Sequence, residues 1–220
     1  MSENINNIFR TVQAETQCPF AKSAIITFAR PIAAEFSIPE AAQQLYEDIA
    51  AYVQEGIVTM PDGLAVALPN TVIGDDFKSL TSGFNSLYHA LKINDGFSEK
   101  AIATENIEDP GWQLTIAGQR LFTIVFSSLY PADNPRHIHE ANTTFVFFQP
   151  VQSFSTRIPS DKDSAEFKRL KESIRSRFTE AGRAYDGAIT DDPREAAKYL
   201  SPQHLGMKAV EWWKRDRPVV

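Results

Sequence analysis

Residues 112–150 read WQLTIAGQRLFTIVFSSLYPADNPRHIHEANTTFVFFQP and begin with two segments that have the pattern of β-strands. Between residues 112 and 116 apolar and polar side chains alternate, as in a strand with one buried face. The segment 121–129 is mostly apolar. The four residues 117–120, Ala-Gly-Gln-Arg, predict a hairpin turn between the two segments. The first half of this stretch therefore predicts an antiparallel pair of strands.

The second half of the stretch predicts a polar loop followed by a further strand. Residues 130–142 are rich in proline, histidine and other polar residues, whereas 143–148 are β-branched or aromatic. Pro150 closes this strand. The apolar run 64–68, closed by Pro69, has the composition of a buried strand. Together these segments predict a central, mainly antiparallel sheet.

Three segments have helical periodicity. Ser37 followed by Glu40 resembles a capping box, and the apolar residues that follow are spaced as on one helix face as far as Gly56. The segments 76–93 and 163–185 also carry apolar stripes at helical spacing. We therefore predict an α+β fold in which helices pack against the sheet, with residues 1–220 forming a single domain.

Composition excludes several classes of protein. The 220 residues are 43% hydrophobic and 23% charged, which is typical of a globular chain. The net charge is −6, and the densest basic stretch, residues 168–183, is interleaved with glutamates. Nucleic acid is therefore not an expected partner, because binding to the phosphate backbone needs a basic face.

The sequence predicts a soluble cytoplasmic protein. Cys18 is the only cysteine, so an internal disulfide is excluded. The first ten residues are polar and lack the apolar run of a signal peptide. No stretch is apolar for about 18 residues, so no membrane partner is expected.

No catalytic signature can be identified by spacing alone. The sequence contains neither a Gly-x-Ser-x-Gly nucleophile motif nor a glycine-rich phosphate loop. Cys18 has no identifiable base, and a lone cysteine is usually a small buried apolar residue. His137 and His139 are the only closely spaced histidines; they are interpreted as a surface pair, as two ligands of a metal site or as contacts to a bound molecule. The loop that carries them lies between two apolar strands, where ligand sites are common.

Several short motifs, in a fixed order, resemble the YqcI/YcgG family. They are the segment CPFAKSA at 18–24, the helix end with Leu87, Leu91 and Asp95, the strand and proline turn at 118–131, the loop and FQPVQSF strand at 136–154, and the IRSR segment at 174–177. The resemblance covers most of the chain, and it is the ordered set rather than any one motif that carries it.

The resemblance implies an activity and a cofactor. The family includes heme-dependent N-hydroxylases of the guanitoxin pathway, which oxidise a guanidine nitrogen. It therefore implies an iron-containing oxidoreductase, a monooxygenase that transfers oxygen to a small amine or guanidine. The implied partner is a small nitrogenous substrate, and a homodimer is left open.

The resemblance also implies site residues, although one departure leaves the iron ligand open. Members nearest to the N-hydroxylases have Leu-His-Pro where this chain has Leu129, Tyr130 and Pro131. The candidate iron ligands are therefore Tyr130, His137 and His139, unless this branch binds no heme. The other predicted cofactor contacts are Arg136, suited to a heme propionate or a substrate carboxylate, Cys18, and Lys22, suited to an acidic ligand group.

We thus predict a heme-dependent N-oxygenase with its iron held from the loop at 130–139. Two alternatives remain at this point. One is a non-catalytic protein of the same fold that binds a small molecule or a partner. The other is a non-heme metal enzyme that uses His137 and His139.

Overall fold

The fold is described from a computed structural model. It describes residues 2–59, 61–140, 142–154, 159, 161 and 163–214. Ala141 of the predicted loop lies outside the described residues, as does the side chain of Phe154 in the family-like FQPVQSF strand.

The centre of the molecule is a five-stranded sheet. Its strands are β1 (Ile26–Phe28), β2 (Gly63–Pro69), β3 (Leu114–Ile116), β4 (Gln119–Ser127) and β5 (Thr143–Pro150). The spatial order is β1-β2-β5-β4-β3. Only the pair β1 and β2 is parallel, and the other three pairings are antiparallel. The predicted α+β class with a mainly antiparallel sheet is therefore confirmed.

Helices surround the sheet. They are α1 (Ser2–Glu15), α2 (Pro19–Lys22), α3 (Ile38–Thr59), α4 (Asn70–Ile73), α5 (Phe77–Asn94), α6 (Glu99–Ala103), α7 (Ala165–Glu180) and α8 (Gly187–Thr190). Short 3-10 helices are also present, one after β5 at Val151–Phe154 and one after α8 at Glu195–Lys198. The three long helices predicted from periodicity correspond to α3, α5 and α7. The prediction for α7 was too long, because Gly182 at φ 72° ends it and the Arg183 N–H bonds back to the Phe178 carbonyl.

Local sequence explains the turns and helix starts that fix this arrangement. Ala117 and Gly118 both have positive φ, 50° and 73°, so a two-residue turn connects β3 to β4 as the hairpin signal predicted. Asp76 accepts a hydrogen bond from the Ser79 N–H at 2.7 Å, and the Asp76 N–H donates to the Ser79 hydroxyl at 3.0 Å, which completes a capping box at the start of α5.

One face of the sheet is closely packed. Here α3 and α5 cover side chains of β2, β4 and β5 such as Val66, Val125 and Phe148, all essentially inaccessible. Trp212, from the end of the described chain, packs edge-on against Phe84 with 4.9 Å between ring centroids. We call this side, with its helices, the closed face.

The opposite face carries a smaller cluster. Helix α1 lays Phe9 against Phe126, Phe145 and Phe147, with centroid distances of 5.5, 5.1 and 5.7 Å. Helix α7 also lies on this side of the sheet, but a cavity separates it from the strands. We call this side the open face. Among the described residues, no helix has the length and apolar character needed to cross a membrane.

Candidate functional site

The open face contains a cavity of about 620 Å³, which falls within the range of small-molecule and cofactor sites. Its floor is the sheet, from which Phe122, Ile124 and Phe126 of β4 and Phe147 of β5 project into it. These β4 side chains are half-buried while their neighbours along the strand are fully buried. The alternation follows from the pleat, which directs successive residues to the closed and the open face.

The other walls come from segments far away in the sequence. Phe167, Leu170 and Ile174 of α7 lie opposite the sheet, and α1 contributes Phe9 and Val12. The cavity is therefore walled mainly by phenylalanine and aliphatic side chains. Such walls exclude water and favour a ligand with a large apolar body.

Cys18, Arg183 and Tyr185 form a polar group in the cavity lining. Cys18 is half-buried at the start of α2. Cys18 and Arg183 both lie close enough to the Tyr185 phenol to influence its pKa. Burial raises the pKa of Tyr185, and the Arg136 and Arg183 guanidinium groups oppose that shift. At neutral pH this phenol is therefore a hydrogen-bond donor.

Arg183 is held in place by the loop that follows β4. Its Nη2 atom donates to the carbonyls of Asn134, Pro135 and His137 at 3.2, 3.3 and 3.3 Å. The Nε atom is buried without a hydrogen-bond partner. The loop and the segment after α7 are thus fixed to each other, and the guanidinium group borders the cavity.

Most other charges in the lining are balanced by neighbours. Asp191 pairs with Lys171 and, at 2.7 Å, with Arg175, and the hydrogen bond from Arg175 lowers the pKa of Asp191. Lys198 pairs with Glu195 at 3.0 Å. Asp192 pairs with Arg194 at 2.7 Å. These pairs brace the rim of the cavity.

A second polar group includes Asp62, Gln149 and Ser153. Asp62 is buried just before β2 and accepts a hydrogen bond of 2.7 Å from the Ile25 N–H. The Gln149 amide donates to the Ser153 hydroxyl at 3.0 Å. Leu64 pairs with Phe148 in the antiparallel ladder of β2 and β5. Asp62, two residues before Leu64, and Gln149, one residue after Phe148, therefore lie at the same end of these two strands.

The structure places Tyr130 away from the cavity. Its side chain is buried on the side of α5, where its ring packs edge-on against Phe77 with centroids 5.5 Å apart. Burial raises the pKa of Tyr130 to about 12, although Arg136 opposes the shift. This residue is not among those that line the cavity.

Arg136 also does not line the cavity. Its guanidinium is buried and donates to the backbone carbonyl of Tyr199 at 2.7 Å and to that of Lys198. These bonds anchor the segment 198–199 to the loop. Two of its nitrogens are thereby engaged by backbone carbonyls rather than held free for a propionate.

The two loop histidines lie beside each other near the protein surface. Their rings are 5.0 Å apart and edge to face. The His137 Nδ1 atom shares a hydrogen bond of 2.7 Å with the Tyr130 carbonyl, and His139 is 70% exposed with its Nε2 3.7 Å from Glu15. Neither lines the cavity, and neither does Lys22, which is exposed at the end of α2.

Of the six predicted site residues, Cys18 alone lines the cavity. Arg183 and Tyr185 were not among the predicted site residues; they lie inside the predicted third helix at 163–185 but follow α7 in the structure. An arginine and a tyrosine two residues apart carry no local signal of a site, so only the packing of α7 against the sheet reveals them. In the described part of the chain, no three or more His, Cys, Asp or Glu side chains are grouped as a metal ion would need.

Comparison of the chain with protein-family models, with curated proteins and with solved structures gave no match.

Proposed function

We propose that the cavity on the open face binds heme and that the protein is an N-oxygenase of small amines or guanidines. The observation that carries this proposal is a cavity of about 620 Å³, walled by phenylalanines, with a thiol in its lining. The resemblance to the YqcI/YcgG family suggests the cofactor and the reaction.

The cavity residues fit a heme in three respects. The volume and the apolar walls suit a flat macrocycle. Cys18 offers a soft thiolate, a known type of heme ligand. Arg183 offers a cation at the same lining, as a propionate would require. In this arrangement the iron ligand would be Cys18 rather than Tyr130, His137 or His139.

A heme held by Cys18 and Arg183 would supply the activation of peroxide and the transfer of one oxygen atom to the substrate. With peroxide the reaction balances as R–NH₂ + H₂O₂ → R–NHOH + H₂O, in which nitrogen is oxidised and peroxide is reduced. The protein's own contribution would be to exclude water through the Phe122, Phe126 and Phe147 walls and to orient the substrate nitrogen.

A visible spectrum tests the proposal. The protein is purified, desalted, titrated with hemin and scanned for a Soret band. Cys18→Ser should weaken hemin binding by at least about tenfold, which corresponds to about 1.4 kcal/mol. His139→Ala is the matched control and should leave the affinity unchanged, because its side chain is 70% exposed and outside the cavity.

Two results would contradict the proposal in different ways. A protein that stays colourless and takes up no hemin has no heme function. Hemin binding that survives Cys18→Ser but is lost in His137→Ala or Tyr130→Phe would instead favour the loop at 130–139 as the source of the ligand.

A second candidate is non-catalytic binding of a small apolar molecule in the same cavity. It is favoured by the lining itself, because no histidine is present among the described residues that form it. Histidine is the commonest general base, so its absence there removes one route to acid–base catalysis. Binding of apolar ligands without hemin uptake would support this candidate.

A further inference from the structure

We infer that Arg183 and Tyr185 form a carboxylate-binding site within the cavity, for a ligand whose apolar body lies against the phenylalanine walls. The inference rests on the proposed function only in taking the cavity as the ligand site. It specifies the chemical class of the ligand as an amphipathic carboxylate.

The charge of Arg183 is the first reason. Its three hydrogen bonds all run from Nη2 to backbone carbonyls, which carry only partial charges. Within the described residues no carboxylate pairs with it, whereas Lys171 and Lys198 in the same lining are each paired with one. A half-buried cation of this kind is stabilised by an anion, and its Nη1 group is left to donate to one.

Tyr185 supplies the second donor. It lines the cavity two residues after Arg183, and its ring is fixed by Phe178 at 4.4 Å between centroids. The neutral phenol can donate one hydrogen bond, and no described residue accepts one from it. A guanidinium and a phenol on the same lining can bind the two oxygens of a carboxylate.

The buried carboxylate of Asp62 does not neutralise the Arg183 guanidinium, because Asp62 lies at the opposite end of the strands. Asp62 precedes β2, whereas the loop segment that Arg183 holds bridges to Ser127 through His137. Ser127 pairs with Thr144, and Thr144 pairs with Leu68. Asp62 and the loop segment that Arg183 holds are therefore separated by about six residues along the strand, or roughly 20 Å.

The carboxylate could belong to a heme propionate or to a separate substrate. Both would place the same charged group on Arg183 and Tyr185 and the same kind of apolar body on the walls. Matched probes separate the two sources. Hemin is compared with hemin dimethyl ester, and dodecanoate is compared with dodecanol, each by isothermal titration calorimetry of the full chain.

The variants are Arg183→Gln, Tyr185→Phe and a control, Arg177→Gln, whose side chain is exposed on α7. Arg183→Gln should weaken binding of the acid form by at least about thirtyfold. Tyr185→Phe removes one hydroxyl and keeps the ring packing, so it remains informative if Arg183→Gln fails to fold, and it should weaken binding by roughly tenfold. The ester and alcohol probes, and the control variant, should show no change.

Selective loss with dodecanoate assigns the site to a substrate carboxylate, and selective loss with hemin assigns it to a propionate. Equal changes for acid and blocked probes, unchanged affinity in both variants, or no binding of either acid by the wild type would each overturn the inference. The outcome for heme is separate. If dodecanoate binds through Arg183 and hemin does not bind, the carboxylate site stands and the heme proposal fails. If hemin binds, and neither variant weakens the binding of hemin or of dodecanoate, the heme proposal stands and this inference fails.

Discussion

The two faces of the sheet differ in how completely they are packed, although the same strands supply both. On the closed face, α3, α5 and Trp212 leave the apolar side chains essentially inaccessible. On the open face, α1 covers part of the sheet, and a cavity of about 620 Å³ separates the rest from α7. A strand alternates its side chains between the faces, so the same strands contribute to a filled core on one side and to the wall of a cavity on the other.

This contrast distinguishes the face that supplies most of the stability from the face that we propose binds a ligand. Closely packed apolar side chains contribute most of the favourable free energy of folding, because they are removed from water and pack against one another with few voids. Side chains at a cavity wall have given up part of that packing. The open face should therefore tolerate substitutions that the closed face does not, and should respond to ligands where the closed face does not.

The largest expected effect compares Phe148 with Phe147. These neighbours on β5 point to the closed and the open face, and their side chains are 1% and 8% exposed. Phe148→Ala should lower the free energy of unfolding by about 3–5 kcal/mol, because it leaves a void in a filled core. Phe147→Ala should cost only about half as much. Urea unfolding of the ligand-free variants, followed by circular dichroism, measures both.

Equal costs for the two variants would show that the open face is packed as tightly as the closed one. The ligand response provides an internal check. Phe147→Ala should change affinity for apolar probes, whereas Phe148→Ala should change it only in proportion to lost stability.

An intermediate effect concerns the Tyr130 phenol on the closed side. Burial raises the pKa of Tyr130 to about 12 in the folded protein from a reference value of 10.0. The unfolded chain therefore releases this proton first, so the stabilisation is complete below pH 10 and is lost as the pH rises to about 12. Between pH 9 and pH 11 the free energy of unfolding of the wild type should therefore fall by about 1.4 kcal/mol through this group. This fall should be absent in Tyr130→Phe, as measured by urea unfolding at each pH.

Tyr185→Phe is the matched variant on the open face. The pKa of Tyr185 is also raised by burial, but its phenol borders the cavity. We expect a smaller change in the alkaline slope for Tyr185→Phe than for Tyr130→Phe. The reverse order would contradict the assignment of Tyr130 to the closed side.

The smallest expected effect concerns the exposed ion pair between His139 and Glu15 of α1. The His139 imidazole is 3.7 Å from Glu15, and the two side chains are 70% and 47% exposed. Because water and salt screen such a pair, His139→Ala should change the free energy of unfolding by less than about 0.5 kcal/mol. A loss well above that value at pH 6, in a thermal melt, would show that this contact holds α1 over the cavity.

Periodicity predicted the elements that depend on neighbouring residues. The alternation in 112–116, the Ala117-Gly118 turn and the apolar run before Pro69 correspond to β3, the hairpin and β2. The boundary of α7 was missed by five residues, because the apolar stripe continues past the glycine that ends the helix. Local backbone preferences and amphipathic spacing act over a few residues, so a single sequence is sufficient to show them.

The candidate site was less accessible to sequence reasoning. The loop at 130–139 has the composition of a ligand loop, but Arg136 and Tyr130 are taken up by packing and backbone contacts, and His139 faces water. Cys18 was among the predicted cofactor contacts and does line the cavity. Its neighbours there, Arg183 and Tyr185, come from the opposite end of the chain.

The sequence alone thus determined the strands β2 to β5, the hairpin turn and the sides of those strands that are apolar, because these depend on residues two to four positions apart. It did not predict the short strand β1. The tertiary structure alone decided that one face would be filled and the other left hollow. It also decided that a thiol, a guanidinium and a phenol from residues 18, 183 and 185 would share the hollow. The reason is that a cavity is a mismatch in volume between distant segments, and no local pattern of residue types records how two such segments fit together.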